Sequence, residues 1–195
     1  MSVYPRKGDK AFAGEPEIKF GLVMLQVTGI DKNYVLGFKL AGDTLVEDII
    51  TGEKQIFDYT LAIPACYLYR HYLELHLKWI LKMASRAGFL SLDKPDQKTT
   101  EGHKLLPLWK LTKDFLTKHF DDANPDTLAA TEQIITEFHT ADESGTELRY
   151  WAGKDGNPNL QKMPAEFNLE NLRDTITRVY MFLDPYSTQL TLYFD

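Results

Sequence analysis

Several chemistries are excluded by what this chain lacks. Its 195 residues include one cysteine, Cys66. One thiol rules out an internal disulfide and a cysteine-based zinc site. Flanked by Ala65 and Tyr67 in an apolar stretch, that thiol reads as buried and inert. No run approaches the ~18 uninterrupted apolar residues of a membrane-spanning helix. The N-terminal MSVYPRKGDKAFAGEPEIKF also has no apolar signal core. A cytoplasmic protein with no membrane partner is expected. The phosphate-cradling loops GxGxxG and GxxxxGK[ST] are missing, as are HExxH, GxSxG and an EF-hand loop, so no cofactor is expected. A formal net charge of −6 speaks against a protein that coats nucleic acid, and no DNA partner is expected. A small local basic patch acting on RNA remains open.

With 44% hydrophobic and 26% charged residues, the composition is that of one globular domain with a sizeable core. The rest of the chain is organised around Ile63 to Met83, IPACYLYRHYLELHLKWILKM. Its apolar positions fall nearly all round a helix, as in the central member of a bundle. At about 100° per residue, Arg70, His71, Glu74, Lys78 and Lys82 fall on one stripe. Two readings of the stripe compete. It is either a solvent face, with Glu74 and Lys78 as an i,i+4 pair, or a polar site inside or between helical subunits.

Residues 1–30 read as an extended arm, with one strand in FGLVMLQV, leading into a single helical-bundle domain over 31–195. Asp31 to Ile50 has helical spacing, with Gly37 and Gly42 permitting close approach of a neighbour, and Thr51-Gly52 ends it. The central helix stops near Gly88, and SLDKPDQKTTEG over 91–102 reads as a polar loop. A third helix follows from about Leu106, a fourth from the Asn124-Pro125-Asp126 start signal to about Ala141, and a last one from the Asn168 cap. Asp184-Pro185 is expected to interrupt that last helix. Alternation around Leu148 to Ala152, with the Asp155-Gly156 turn signal, predicts a short β-hairpin insert at about 146–163. The expected fold is mainly α: about five helices, the β-insert and the N-terminal arm.

His71 and His76 lie about 140° apart on the helix, unsuited to sharing a metal. Glu74 and His71 form a Glu/His pair at i,i+3, but no second such pair exists, so no metal is expected. Arg70 with His71 or His76 could instead cleave RNA without a metal. The histidine would take the 2′-OH proton and the arginine would stabilise developing phosphorane charge. Arg149 reads either as a buried partner of Glu74 or Asp43 or as a phosphate contact. His103, His119 and His139 sit near helix ends, where capping or the helix dipole explains them.

YRHYLELHLKWIL followed by GHKLLPLWK resembles helical domains of the HEPN superfamily. Arg70, His71, Glu74, Leu75 and Lys78 match the first motif, and His103, Leu105 and Leu108 or Trp109 the second. Gly37, Lys39, Ala41, Asp43, Leu45, Val46 and Glu47 are similar to the first helix of uncharacterised bacterial and phage HEPN-like proteins. Asp142, Ser144, Leu148, Arg149 and Tyr150 echo a turn in those proteins. The resemblance implies a HEPN-like bundle and a homodimer. It also implies a metal-independent endoribonuclease, or a relative, in a bacterial or phage defence or toxin setting. Arg70 would hold phosphate, His76 or His71 would be the acid/base, and Glu74 and Lys78 would orient them. His103, Lys104, Arg149 and Tyr150 would complete an RNA-binding surface. The alternative within the same resemblance is a non-catalytic module binding a nucleotide, RNA or a protein through the Arg70/His71/Glu74/Lys78 face.

Overall fold

The structure, a computed structural model, describes residues 32–52 and 58–193. The arm and its FGLVMLQV strand lie outside the described residues. Six α-helices are present among them: α1 Lys32–Thr51, α2 Asp58–Arg86, α3 Lys94–Glu101, α4 Leu105–His119, α5 Pro125–Ala141 and α6 Leu169–Thr191. Helix α2 is the axis of a bundle, packed by α1, α4 and α6, with α5 against α4. Leu73, Leu77, Ile80 and Leu81 on α2 are fully buried, each worth about 1.5–3 kcal/mol of apolar burial. No described helix is long and apolar enough to cross a membrane.

The α1–α2 contact depends on a missing side chain. A Cβ at Gly42 would stand 2.7 Å from Cε1 of Tyr69, whereas one at Gly37 would meet nothing within 4 Å. The Tyr69 hydroxyl donates to Asp43 Oδ1 at 2.9 Å, and Lys39 Nζ lies 2.7 Å from Asp43 Oδ2. Gly37→Ala is therefore expected to raise stability by up to about 1 kcal/mol through helix propensity. Gly42→Ala should lower it by about 1 kcal/mol, because overpacking against the ring outweighs the same gain. Urea unfolding midpoints of the two variants check the opposite signs.

Three expectations are corrected. The polar stretch 91–102 contains helix α3. The side chain of Asp93 caps it, accepting from Asp96 N at 2.9 Å, and Pro95 sits in its first turn. This helix buries no residue, so local capping rather than an apolar stripe holds it. The hairpin insert is not a pair of strands: one antiparallel bridge, Ala152–Pro158, stands alone, and Asn159–Lys162 coil into a 3-10 turn. Pro158 has no N–H to extend a ladder. Asp184-Pro185 does not break α6, which runs through Pro185 on an exposed position. The Met181 carbonyl that proline leaves unbonded belongs to an exposed residue and can turn to water.

Candidate functional site

Arg70 sits where three segments meet and is 1% exposed. Its Nη1 donates to Glu74 Oε2 one turn along α2, and Nη2 donates to the carbonyl of His103 at the entry to α4. Its Nε lies 3.3 Å from Asp142 Oδ2, immediately after α5. Gly145 presses its backbone on the guanidinium: a Cβ there would stand 3.1 Å from Nη2, and its φ of +80° suits glycine. The loop holding Asp142 is itself tied. The Glu147 N–H donates to Asp142 Oδ1 at 2.9 Å, while the Glu147 carboxylate accepts from the Ser144 hydroxyl at 2.8 Å.

Glu74 is equally buried, at 2% exposure. Its Oε1 accepts from Lys78 Nζ at 2.8 Å and lies 2.9 Å from His103 Nδ1. Burial pushes the Glu74 carboxyl up, but the Lys78 and His103 hydrogen bonds win and hold it below the ordinary range. Asp142 moves the other way. Burial and its hydrogen bonding with Glu147 raise it, against the pull of Arg70. Two cations, Arg70 and Lys78, thus face two acids, Glu74 and Asp142, so the inner network is balanced. The solvent-face reading of the stripe fails at its centre, since Arg70 and Glu74 are core residues, and Lys82 alone of the stripe is exposed.

An outer rim lies over this network. The His103 side chain is 64% exposed and Lys78 is 20% exposed. His71 is half-buried, stacked on Tyr67 at 5.8 Å between ring centroids and edge-on to Phe38 at 4.5 Å. Burial lowers its pKa, Glu74 opposes this, and the nearby charges of Arg70, Lys78 and Arg149 lower it further. An imidazole so placed is neutral at pH 7. Arg149 is exposed, not buried against Glu74 or Asp43; its guanidinium lies 5.8 Å from the Tyr150 ring centroid. Lys104 turns away to Glu143, with Nζ 2.7 Å from Oε1.

His76 is not brought to Arg70. Six positions further along α2, it faces Tyr72, whose hydroxyl lies 2.8 Å from His76 Nδ1, in a small space also lined by Lys32 and Asp184. Complete burial depresses its pKa to about 4, with Asp184 opposing. The folded protein therefore refuses a proton that the unfolded chain accepts below its ordinary value near 6.5. The contribution is intact above about pH 6.5 and erodes as pH falls toward 4. Between pH 7 and pH 5 this site should remove about 2 kcal/mol of stability. His76→Asn, which keeps a polar atom for Tyr72, should lose that much less over the same interval, as urea unfolding at both pH values will report.

Sequence alone gives Asp142 a place in a turn but no role, and singles out Gly145 for nothing. The available signal was the Asp-x-Ser-Gly turn directly after a helix end, a pattern that places backbone against whatever lies beneath. An apolar groove of about 180 Å³, lined by Cys66, Phe138, Leu148 and Leu172 among others, also borders this loop. Burial pushes the Cys66 thiol up to about 12, which leaves it protonated and unreactive. No family model, curated protein or solved structure matches the chain.

Proposed function

We propose that this chain is a HEPN-like helical module that binds RNA phosphates without cutting them. His71, Lys78, His103 and Arg149 form the contact rim, and Arg70 and Glu74 form the frame behind it. The observation that carries the reading is the burial of Arg70, with Nη1 given to Glu74 and Nη2 to the His103 carbonyl, beneath an exposed His103 side chain. A guanidinium already bonded to a carboxylate and a carbonyl would have to abandon both to hold phosphate, leaving buried charge unpaired. The homodimer of the catalytic alternative requires Arg70 of two copies to face one cleft, and a residue 1% exposed does not present itself there. The rim groups are reachable, and Arg149 makes no ion pair with a described residue, so its charge is available to an anion.

One observation favours the alternative endoribonuclease: the neutral imidazole of His71 beside Lys78 and Arg149 has the form of a general base next to cations. A single assay separates the two. Labelled single-stranded RNA and pooled tRNA are titrated in EDTA, with anisotropy for binding and gels for cutting. The expected result is salt-dependent binding of intact RNA, weakened about 3- to 10-fold by Lys78→Ala or Arg149→Ala, each lowering the salt slope by about 1. Cleavage abolished by His71→Ala would replace this reading with the ribonuclease. No RNA binding at low salt would remove both.

A further inference from the structure

The exposed aromatic pair beside Arg149 has no role in the core. Trp151 is 83% exposed and Tyr150 is 60% exposed, although each ring could bury on the order of 150–250 Å² of surface. Their backbone, in contrast, is held firmly. Leu148 is buried immediately before them. Asn159 then fastens both residues: its Nδ2 donates to the Tyr150 carbonyl at 2.9 Å and its N–H to the Trp151 carbonyl at 3.1 Å. The Ala152–Pro158 bridge and the bond from Gly153 N to Asn157 O at 2.9 Å close the turn beyond. On the other side, the Asp142–Glu147 loop is clamped to Arg70. Rings held outward on a fixed backbone lose little freedom when something covers them, a property shared with binding hot spots.

Charge selects the occupant. Over residues 148–163, Arg149, Lys154 and Lys162 stand against the single acid Asp155, a local net charge of +2 in a chain of −6. A polyanion with planar, unpaired bases fits rings beside cations. Duplex RNA does not, because its bases are already stacked on one another.

We infer that Tyr150 and Trp151 form a stacking platform for bases of single-stranded RNA, with Arg149 carrying the backbone from this platform to the His71–Lys78 rim. The inference rests on the RNA-binding reading above and adds the strand form and the base contacts. Trp151 also supplies its own signal, since Trp79 and Trp109 are buried.

The test titrates the full chain with labelled oligouridine of about 12 nucleotides, reading anisotropy and tryptophan emission, beside a duplex of equal length. Wild type should bind the single strand with quenched emission, and the duplex at least about tenfold more weakly. Trp151→Ala should weaken single-strand binding by about 5- to 100-fold, and Trp151→Phe by much less, because any aromatic face stacks. Both substitutions are at an exposed position, and circular dichroism will verify folding. Binding that depends on Lys78 and Arg149 but is within about twofold of wild type in Trp151→Ala, with unquenched emission, would overturn the platform and leave the RNA-binding reading in place. Preference for the duplex would overturn the platform in the same way. Failure of wild type to bind either RNA would overturn both.

Discussion

Arg70→Ala is expected to lower folding stability by about 3–5 kcal/mol, because it strands buried partners rather than removing a surface contact. Glu74 would stay buried without its Arg70 partner, Asp142 would be pushed further toward its neutral form, and the His103 carbonyl would lose its donor. A loss of that size is a large share of the roughly 5–15 kcal/mol that holds a domain together. Arg70→Lys should recover little: an ammonium cannot reach three acceptors in the plane that the guanidinium spans. Urea denaturation of both variants at pH 7 measures the effect. If Arg70 served a ligand instead, its removal would cost little stability.

Gly145→Ala is expected to cost about 1–3 kcal/mol. Two causes act together. The φ of +80° is poorly tolerated by a residue with a Cβ, and the added carbon would stand 3.1 Å from Nη2 and 3.2 Å from Cζ of Arg70. Combining it with Arg70→Ala separates the causes. In that background the contact is gone, and Gly145→Ala should cost only about 1 kcal/mol for the backbone conformation. Additive losses would mean that the glycine and the guanidinium do not share one packing site.

The helical bundle was legible because α2, α4, α5 and α6 announce themselves by apolar periodicity and by caps such as Asn124 and Asn168, both of which accept from the helix start as expected. Helix α3 was less visible, having caps but no apolar face. The turn signal alone does not make a hairpin: the Asp155-Gly156 turn is there, but Pro158 stops the ladder after one bridge. At the site, the grouping of Arg70, Glu74 and Lys78 follows from helical spacing, and His103 joins them only through the resemblance. Their depth follows from neither. A charged stripe looks the same in sequence whether water or a loop covers it, and the cover here comes from Asp142 to Glu147, about seventy residues away along the chain. His76 shows the converse: the resemblance makes it an acid/base candidate beside Arg70, while helical geometry turns it toward Tyr72 and Asp184.

The measurement that tests this account most directly is a double-mutant cycle in equilibrium unfolding, with Arg70→Met, Glu74→Leu and both together. Each single variant leaves a buried charge without its partner and should lose about 3–5 kcal/mol. The double variant replaces both charges with apolar groups and should regain about 2 kcal/mol or more of the summed loss. That coupling is the signature of an ion pair that cross-links the core. Single losses below about 0.5 kcal/mol with no coupling, the behaviour of surface substitutions, would contradict it and return Arg70 to the role of a phosphate-holding residue.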